Sequence, residues 1–276
     1  MGRTKILIPE SDLRHLYINE KWSPAKIAIE YGCTSITVRS RLLEAGIPLK
    51  TKSAAQMRYE KYNFSGTDLE KAYMLGFRYG DLNVYQPKGA SETIVVRSHS
   101  THAVQGNLFK NLFEKYGTVT VSEGTRSTQM TCYLDTSFSF LLTKYPPEIR
   151  TWLASSDMLQ WAFSAGYIDA EGTLGLNQGR GRFKVDAYDY TILSDIHALF
   201  LRHGLNSKFR IIARKGEDDY GWEWKEDLWR ISVNEAGSLE KLINYLEPWL
   251  QHEKRRADAN MVLQNIRTRR LHGTIQ

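Results

Sequence analysis

Asp81 and Glu171 occupy matching positions in a 90-residue internal repeat, and their setting asks for chemistry. When "KAYMLGFRYGDLNV" (71–84) is laid over "WAFSAGYIDAEGTL" (161–174), Gly76 falls on Gly166, Gly80 on Ala170 and Asp81 on Glu171. Each acid closes an apolar helical stretch, where the backbone dipole is already negative. Two carboxylates brought together also raise each other's pKa. A divalent cation relieves both penalties. A small set of hard oxygen ligands suits Mg²⁺, which keeps several waters and completes its shell from phosphate oxygens; Mn²⁺ is the expected substitute.

The elements around the acids must bring them together. Gly76 and Gly80 lie four apart, hence on one helical face, as do Gly166 and Ala170. Side-chain size at a contact sets how closely two helices approach, so these faces predict a tight crossing that delivers both acids to one end of a helix pair. The flanks repeat as well. "ETIVVRSHS" and "GRFKVDAYD" read as strands, and "THAVQGNLFKNLFEKYG" and "TILSDIHALFLRHG" as glycine-closed helices. "TVTVS" and "QMTCYLDTSF" match "SKFRIIARK" and "DLWRISVNE"; the helical stretches "FSFLLTKY" and "GSLEKLINYLEPWL" close the two copies. Each copy is helix, two strands, helix, two strands, helix.

The bulk properties fit a soluble nucleic-acid partner. The chain has 276 residues, 42% hydrophobic and 25% charged, with net charge +6. The basic excess sits at the ends: +5 over residues 1–66 and +4 over 252–276, against −3 in between. A polyanion-binding body must therefore segregate its charges onto faces. No apolar run reaches the ~20 residues of a membrane span, and "MGRTKILIPESD" lacks a secretory h-region. A cytoplasmic (prokaryotic or phage nucleoid) or organellar location is expected, not secretion. The two cysteines, Cys33 and Cys132, form no disulfide or zinc pattern and read as small buried apolar groups. His99 and His102 are spaced like a ligand pair, but a strand-to-helix change falls between them, so they read as surface histidines.

Residues 10–50 read as three short helices. Leu13, Leu16 and Tyr17 mark one face of the first. Ser23 caps the second, Pro24 opens it and Gly32 stops it. The third carries Ile36, Val38, Leu42 and Leu43 for packing and ends at Gly46. A short helix, a glycine turn and a helix opening Thr-Ser-x-Thr-x-Arg-x-Arg resemble a helix-turn-helix DNA reader. Thr34, Ser35, Thr37, Arg39 and Arg41 would then reach base edges or phosphates.

"SAGYIDAEG" (164–172) resembles the nine-residue signature of the LAGLIDADG homing endonucleases, identical at six positions with Glu171 conservative at the eighth. "MLGFRYGDL" (74–82) matches only at Gly76 and Asp81, and counts because of its partner and its flanks. The resemblance implies two αββαββα halves related by a pseudo-twofold axis, their sheets forming a saddle on the DNA major groove. It implies Asp81 and Glu171 as metal ligands, and cleavage of both strands across the minor groove to leave short 3′ overhangs. Metal ions can activate water and stabilise the leaving oxygen of a phosphodiester, and no Ser/His/Asp constellation is needed. Tyr79, Arg78 and Leu82 depart from the signature at its sixth, fifth and ninth positions, which suggests a diverged first half. Family members also place a basic group near each metal; Arg230 is the candidate in the second half, and the first-half strand with Thr131, Tyr133 and Asp135 offers none. Strand alternation puts Arg182, Lys184, Lys208, Arg210 and Arg230 outward in the second half, and Arg97 with His99 in the first.

The expected protein is thus α+β: two pseudo-symmetric LAGLIDADG-type halves forming a DNA-binding saddle, plus a small all-α helix-turn-helix domain. The expected organisation is a helix-turn-helix module at 1–50, a linker with an amphipathic helix at 51–66, halves at 67–155 and 156–251, and a basic tail at 252–276 whose charges bind phosphate or are solvated. The expected activity is Mg²⁺-dependent cleavage of double-stranded DNA at a long specific site by a monomer. Two alternatives stand beside it: a catalytically inactive DNA-binding transcriptional regulator on the same body, and a maturase that binds intron RNA.

Overall fold

The computed structural model describes residues 6–50, 59–88, 92–219 and 222–275. The chain divides into two compact units, Met1–Arg58 with Lys88–Glu92, and Tyr59–Pro87 with Thr93–Gln276. Among the described residues no helix is long and apolar enough to cross a membrane.

The first unit is all-α with its own core. Helix α1 (Glu10–Arg14) continues into a π-helical turn (His15–Asn19); α2 spans Pro24–Glu30 and α3 Ser35–Glu44. Ser23 and Thr34 cap α2 and α3 by accepting from the backbone N–H groups of Lys26 and Thr37. Gly32 and Gly46 end the two helices with φ of +62° and +68°, a conformation that costs glycine little. Leu13, Tyr17, Ile27, Ala28, Val38 and Leu42 form the core. Ile36 and Leu43, expected to pack, are exposed, because Val38 and Leu42 alone complete the inward stripe of a helix this short.

The second unit carries the two copies. In the first, α4 (Asp68–Asp81) leads to β1 (Asn83–Tyr85), β2 (Ile94–Ser100), α5 (Ala103–Phe113), β3 (Val119–Glu123), β4 (Thr128–Leu134), a 3₁₀ turn (Thr136–Leu141) and α6 (Pro147–Ala154). In the second, α7 (Asp157–Glu171) leads to β5 (Gly172–Asn177), β6 (Arg180–Ala187), α8 (Tyr190–Arg202), β7 (Ser207–Ala213), a short hairpin of β8 (Asp218–Asp219) and β9 (Trp222–Glu223), then β10 (Leu228–Val233) and α9 (Ala236–Leu246). The sheets are antiparallel with matching orders, β1-β2-β4-β3 and β5-β6-β10-β7. One apolar cluster runs through both copies, with Phe77, Phe109, Phe113, Phe183 and Phe200 fully enclosed.

Two sequence expectations need adjustment. Of the linker helix expected in 51–66, residues 51–58 lie outside the described residues, and 59–66 form no helix, Lys61 bridging to Gly117. The stretch expected as a basic tail folds as the nineteen-residue helix α10 (Glu253–Leu271). Ala259, Val262 and Ile266, spaced at three and four residues, are buried, and Val262 packs against Gly181 under the β5–β6 hairpin. Lys and Arg at the intervening positions mask that apolar stripe in the composition.

Candidate metal and nucleic-acid site

Helices α4 and α7 cross backbone to backbone at Gly76 and Gly166. A Cβ on Gly76 would collide with the Phe163 carbonyl and stand 2.8 Å from the Tyr167 amide nitrogen; one on Gly166 would collide with the Tyr73 carbonyl and stand 2.9 Å from that of Phe77. The contacts are reciprocal, as a twofold relation requires. Further along, a Cβ on Gly80 would meet Ala170 and come within 3.0 Å of Glu171 Cγ and 3.5 Å of its Oε1. The seam therefore lays the Glu171 side chain against the last turn of α4, where Asp81 ends the helix.

Both acids are partly buried and hard to ionise. Asp81 is raised from 3.8 to about 6 by desolvation, opposed by the hydrogen bond it accepts from Gln105 Nε2. Glu171 is raised from 4.5 to about 7 by desolvation first, then by Asp81 and Asp189, with Lys144 and Arg255 pulling the other way. Paired, partly desolvated carboxylate oxygens are a fitting donor set for a hard cation whose remaining ligands are water and phosphate. Among the described residues no cluster of three or more His, Cys, Asp or Glu is placed to hold a metal.

The departures in the first signature copy are compensated locally. Asp169, at the sixth position, is almost wholly buried; its Oδ2 accepts from Tyr73 (2.6 Å) and from the backbone N–H groups of Gln251 (2.7 Å) and His252 (3.0 Å). It ties α7 to the turn that starts α10. At the matching place Tyr79 donates to the Thr143 carbonyl at 3.3 Å, tying α4 to the turn before α6 with donor and acceptor exchanged. Arg78 spends its guanidinium on the Leu141 (3.0 Å) and Leu82 (2.6 Å) carbonyls, and burial lowers its pKa. With a Thr67–Glu70 capping box at its start, α4 is a regular helix of fourteen residues.

The second sheet presents a cationic outer face. Phe183, Val185, Ile231 and Val233 point to the core; Arg180, Arg182, Lys184 and Asp186 on β6, Arg230 and Ser232 on β10, and Lys208 and Arg210 on β7 point the other way. Arg210 lies directly opposite Arg230, a like-charge pairing that is unfavourable without an anion. Asp186 is the one acid among them, and it takes Arg230 bidentately (2.5 and 2.7 Å) and Lys184 at 3.0 Å. Arg230 is thus on the expected face with its fork engaged by Asp186. The first sheet is more neutral: Arg97 stacks on Tyr85 (5.0 Å to the ring centroid), beside exposed His99 and outward-facing Gln129, Thr131 and Tyr133.

In the N-terminal unit, Ser35 and Thr37 lie in the first turn of α3, and Arg39 is exposed one turn on. Arg41 is largely covered and engaged with Glu44 (2.6 Å) and the Ile6 carbonyl (3.4 Å), while Thr37 shares a hydroxyl contact with Thr34 at 3.0 Å. Ile36, expected from sequence to pack inward, is exposed and shares the first turn with Ser35. The sequence reading also missed Gln105, Asp189, Lys144, Arg180 and Asp186. Arg180 and Asp186 carried a signal, continuing the Arg182 and Lys184 alternation at either end of one strand; the others reach their places through tertiary packing.

Two αββαββα copies joined by glycine-faced helices, with an acid from each at the seam, define a LAGLIDADG-type fold. Residues 159–247 match the family model described as a LAGLIDADG-like domain. Similar solved structures are mesophilic variants of the homing endonuclease I-DmoI (13% identity, TM-score 0.48, covering 70% of this chain and 98% of that one), and I-DmoI in complex with DNA and Mn (15%, 0.45, 67% and 97%). Another is the LAGLIDADG meganuclease I-AabMI bound to uncleaved DNA (11%, 0.42, 70% and 88%). The chain has no significant match among curated proteins.

Proposed function

We propose that the protein is a site-specific DNA endonuclease that hydrolyses both strands with a divalent metal, Mg²⁺ or in its place Mn²⁺. The observation that carries this reading is the seam: Glu171 laid against the last turn of α4, where Asp81 ends the helix, both acids raised in pKa, in a body with a cationic sheet face. Asp81 and Glu171 would each hold a metal centre, one per DNA strand, and a metal bound there would supply an activated water and stabilise the leaving oxygen. The chain's own part is positional: α4 and α7 present the two acids together, and Gln105 orients Asp81. Arg182, Lys184, Lys208, Arg210 and Arg230, with Arg97 in the first half, engage the DNA backbone or bases. Their like charges are relieved by phosphate.

The N-terminal unit extends the footprint. Ser35, Thr37 and Arg39 meet the major groove with Ile36, an apolar contact suited to a thymine methyl, and Arg41 stiffens α3. The test is cleavage of a plasmid library in Mg²⁺ by the full chain. Glu171→Gln should lower double-strand cutting by about 10³-fold while target affinity stays within a few-fold. A variant that cuts like the parent would refute the site.

A further inference from the structure

Resting on that reading, we propose that the two metal centres are chemically unlike, and that Lys144, reaching over from the first half, is the positioning residue of the Glu171 centre. Lys144 Nζ pairs with Asp189 Oδ1 at 2.8 Å, and Asp189 Oδ2 accepts from the Tyr167 hydroxyl at 3.1 Å. Tyr167 lies one turn before Glu171 on α7, so the two project from the same helical face. Asp189 is near enough to Glu171 for its charge to oppose ionisation there, and Lys144 is the cation paired with it. The ion pair joins the first half to the second.

The other centre is built differently. His102 is the residue before α5 as Asp189 is the residue before α8, so no carboxylate stands at the matching place. Asp81 instead has the neutral amide of Gln105. One centre therefore holds an acid, a second acid and a lysine; the other holds an acid and an amide. Lys144 keeps Asp189 turned away from a cation at Glu171. Without it, Asp189 competes for that cation and holds it too tightly and off its working position.

The experiment uses the full chain and two readouts: strand-resolved cleavage of the target, and Mn²⁺ binding by titration calorimetry without DNA. The strand belonging to each centre is assigned from the nicks left by Glu171→Gln and Asp81→Asn. Lys144→Met should slow the Glu171 strand about tenfold, leave the other unchanged and tighten Mn²⁺ binding about threefold. Lys144→Arg should restore the rate, and adding Asp189→Asn to Lys144→Met should abolish the tightening. Equal slowing of both strands, no slowing, or weakened Mn²⁺ binding in Lys144→Met would overturn the inference. A parent protein that cuts neither strand would instead refute the endonuclease reading, and the Mn²⁺ titrations would still decide the role of Lys144.

Discussion

Asp81 and Glu171 are held where ionisation is costly. Both are raised toward neutrality, to about 6 and about 7, chiefly by desolvation. Because the folded protein binds these protons more tightly than the unfolded chain, stability falls as pH rises from the ordinary carboxylate range through about 7 and is level above it. Glu171→Gln should therefore melt higher than the parent at pH 8, by roughly 2–6 °C, with the difference vanishing near pH 4. Mn²⁺ should raise the melting temperature of the parent more than that of the variant. On the proposed endonuclease reading, cation binding and cutting would have the opposite slope, since both need the ionised acids: each should decline as pH falls through about 7 and be largely lost below about 6. A variant that melts no higher at pH 8, or a pH-independent cutting rate between 6 and 8, would contradict this account.

The close crossing of α4 and α7 is the element on which the site depends. Its tolerance is asymmetric along the seam. Gly76 and Gly166 face backbone, which cannot yield, whereas Gly80 faces the Ala170 methyl and the Glu171 side chain. Gly76→Ala should destabilise the second unit by about 3 kcal/mol, measured by denaturant unfolding, and the first unit should melt unchanged because its core is its own. A loss below about 1 kcal/mol would mean the helices can part at little cost. Tyr79 and Arg78 looked divergent because each has a partner distant in sequence. Thr143, Leu141 and the turn before α6 are absent from any local window, so Tyr79 read as a lost acid rather than as the donor that replaces an acceptor.

For the whole molecule, charge segregation is what the proposed engagement of a polyanion by a body of net charge −3 requires. The bases are gathered on the outer face of the second sheet, with Asp186 the acid set among them. Replacing Arg182 and Arg210 together with alanine should weaken target binding and reduce the slope of log affinity against log salt by about 1–2, one counterion released per phosphate contact. Filter binding across a salt series measures this, and an unchanged slope would remove those residues from the interface.

Much of this protein could be read directly from the chain. The 90-residue repeat, the paired glycines and the two acids are local patterns governed by helical periodicity and backbone sterics. So are the caps at Ser23 and Thr34 and the alternation that sends Arg182 and Lys184 outward. Tertiary structure alone decided which partners those residues meet: Gln105 at Asp81, Asp189 and Lys144 beside Glu171, Asp186 on Arg230, and α10 under the β5–β6 hairpin. The reason is physical. Periodicity is written within one element, whereas a carboxylate's partner is chosen by how separate elements pack, and the single positions involved leave no repeating trace.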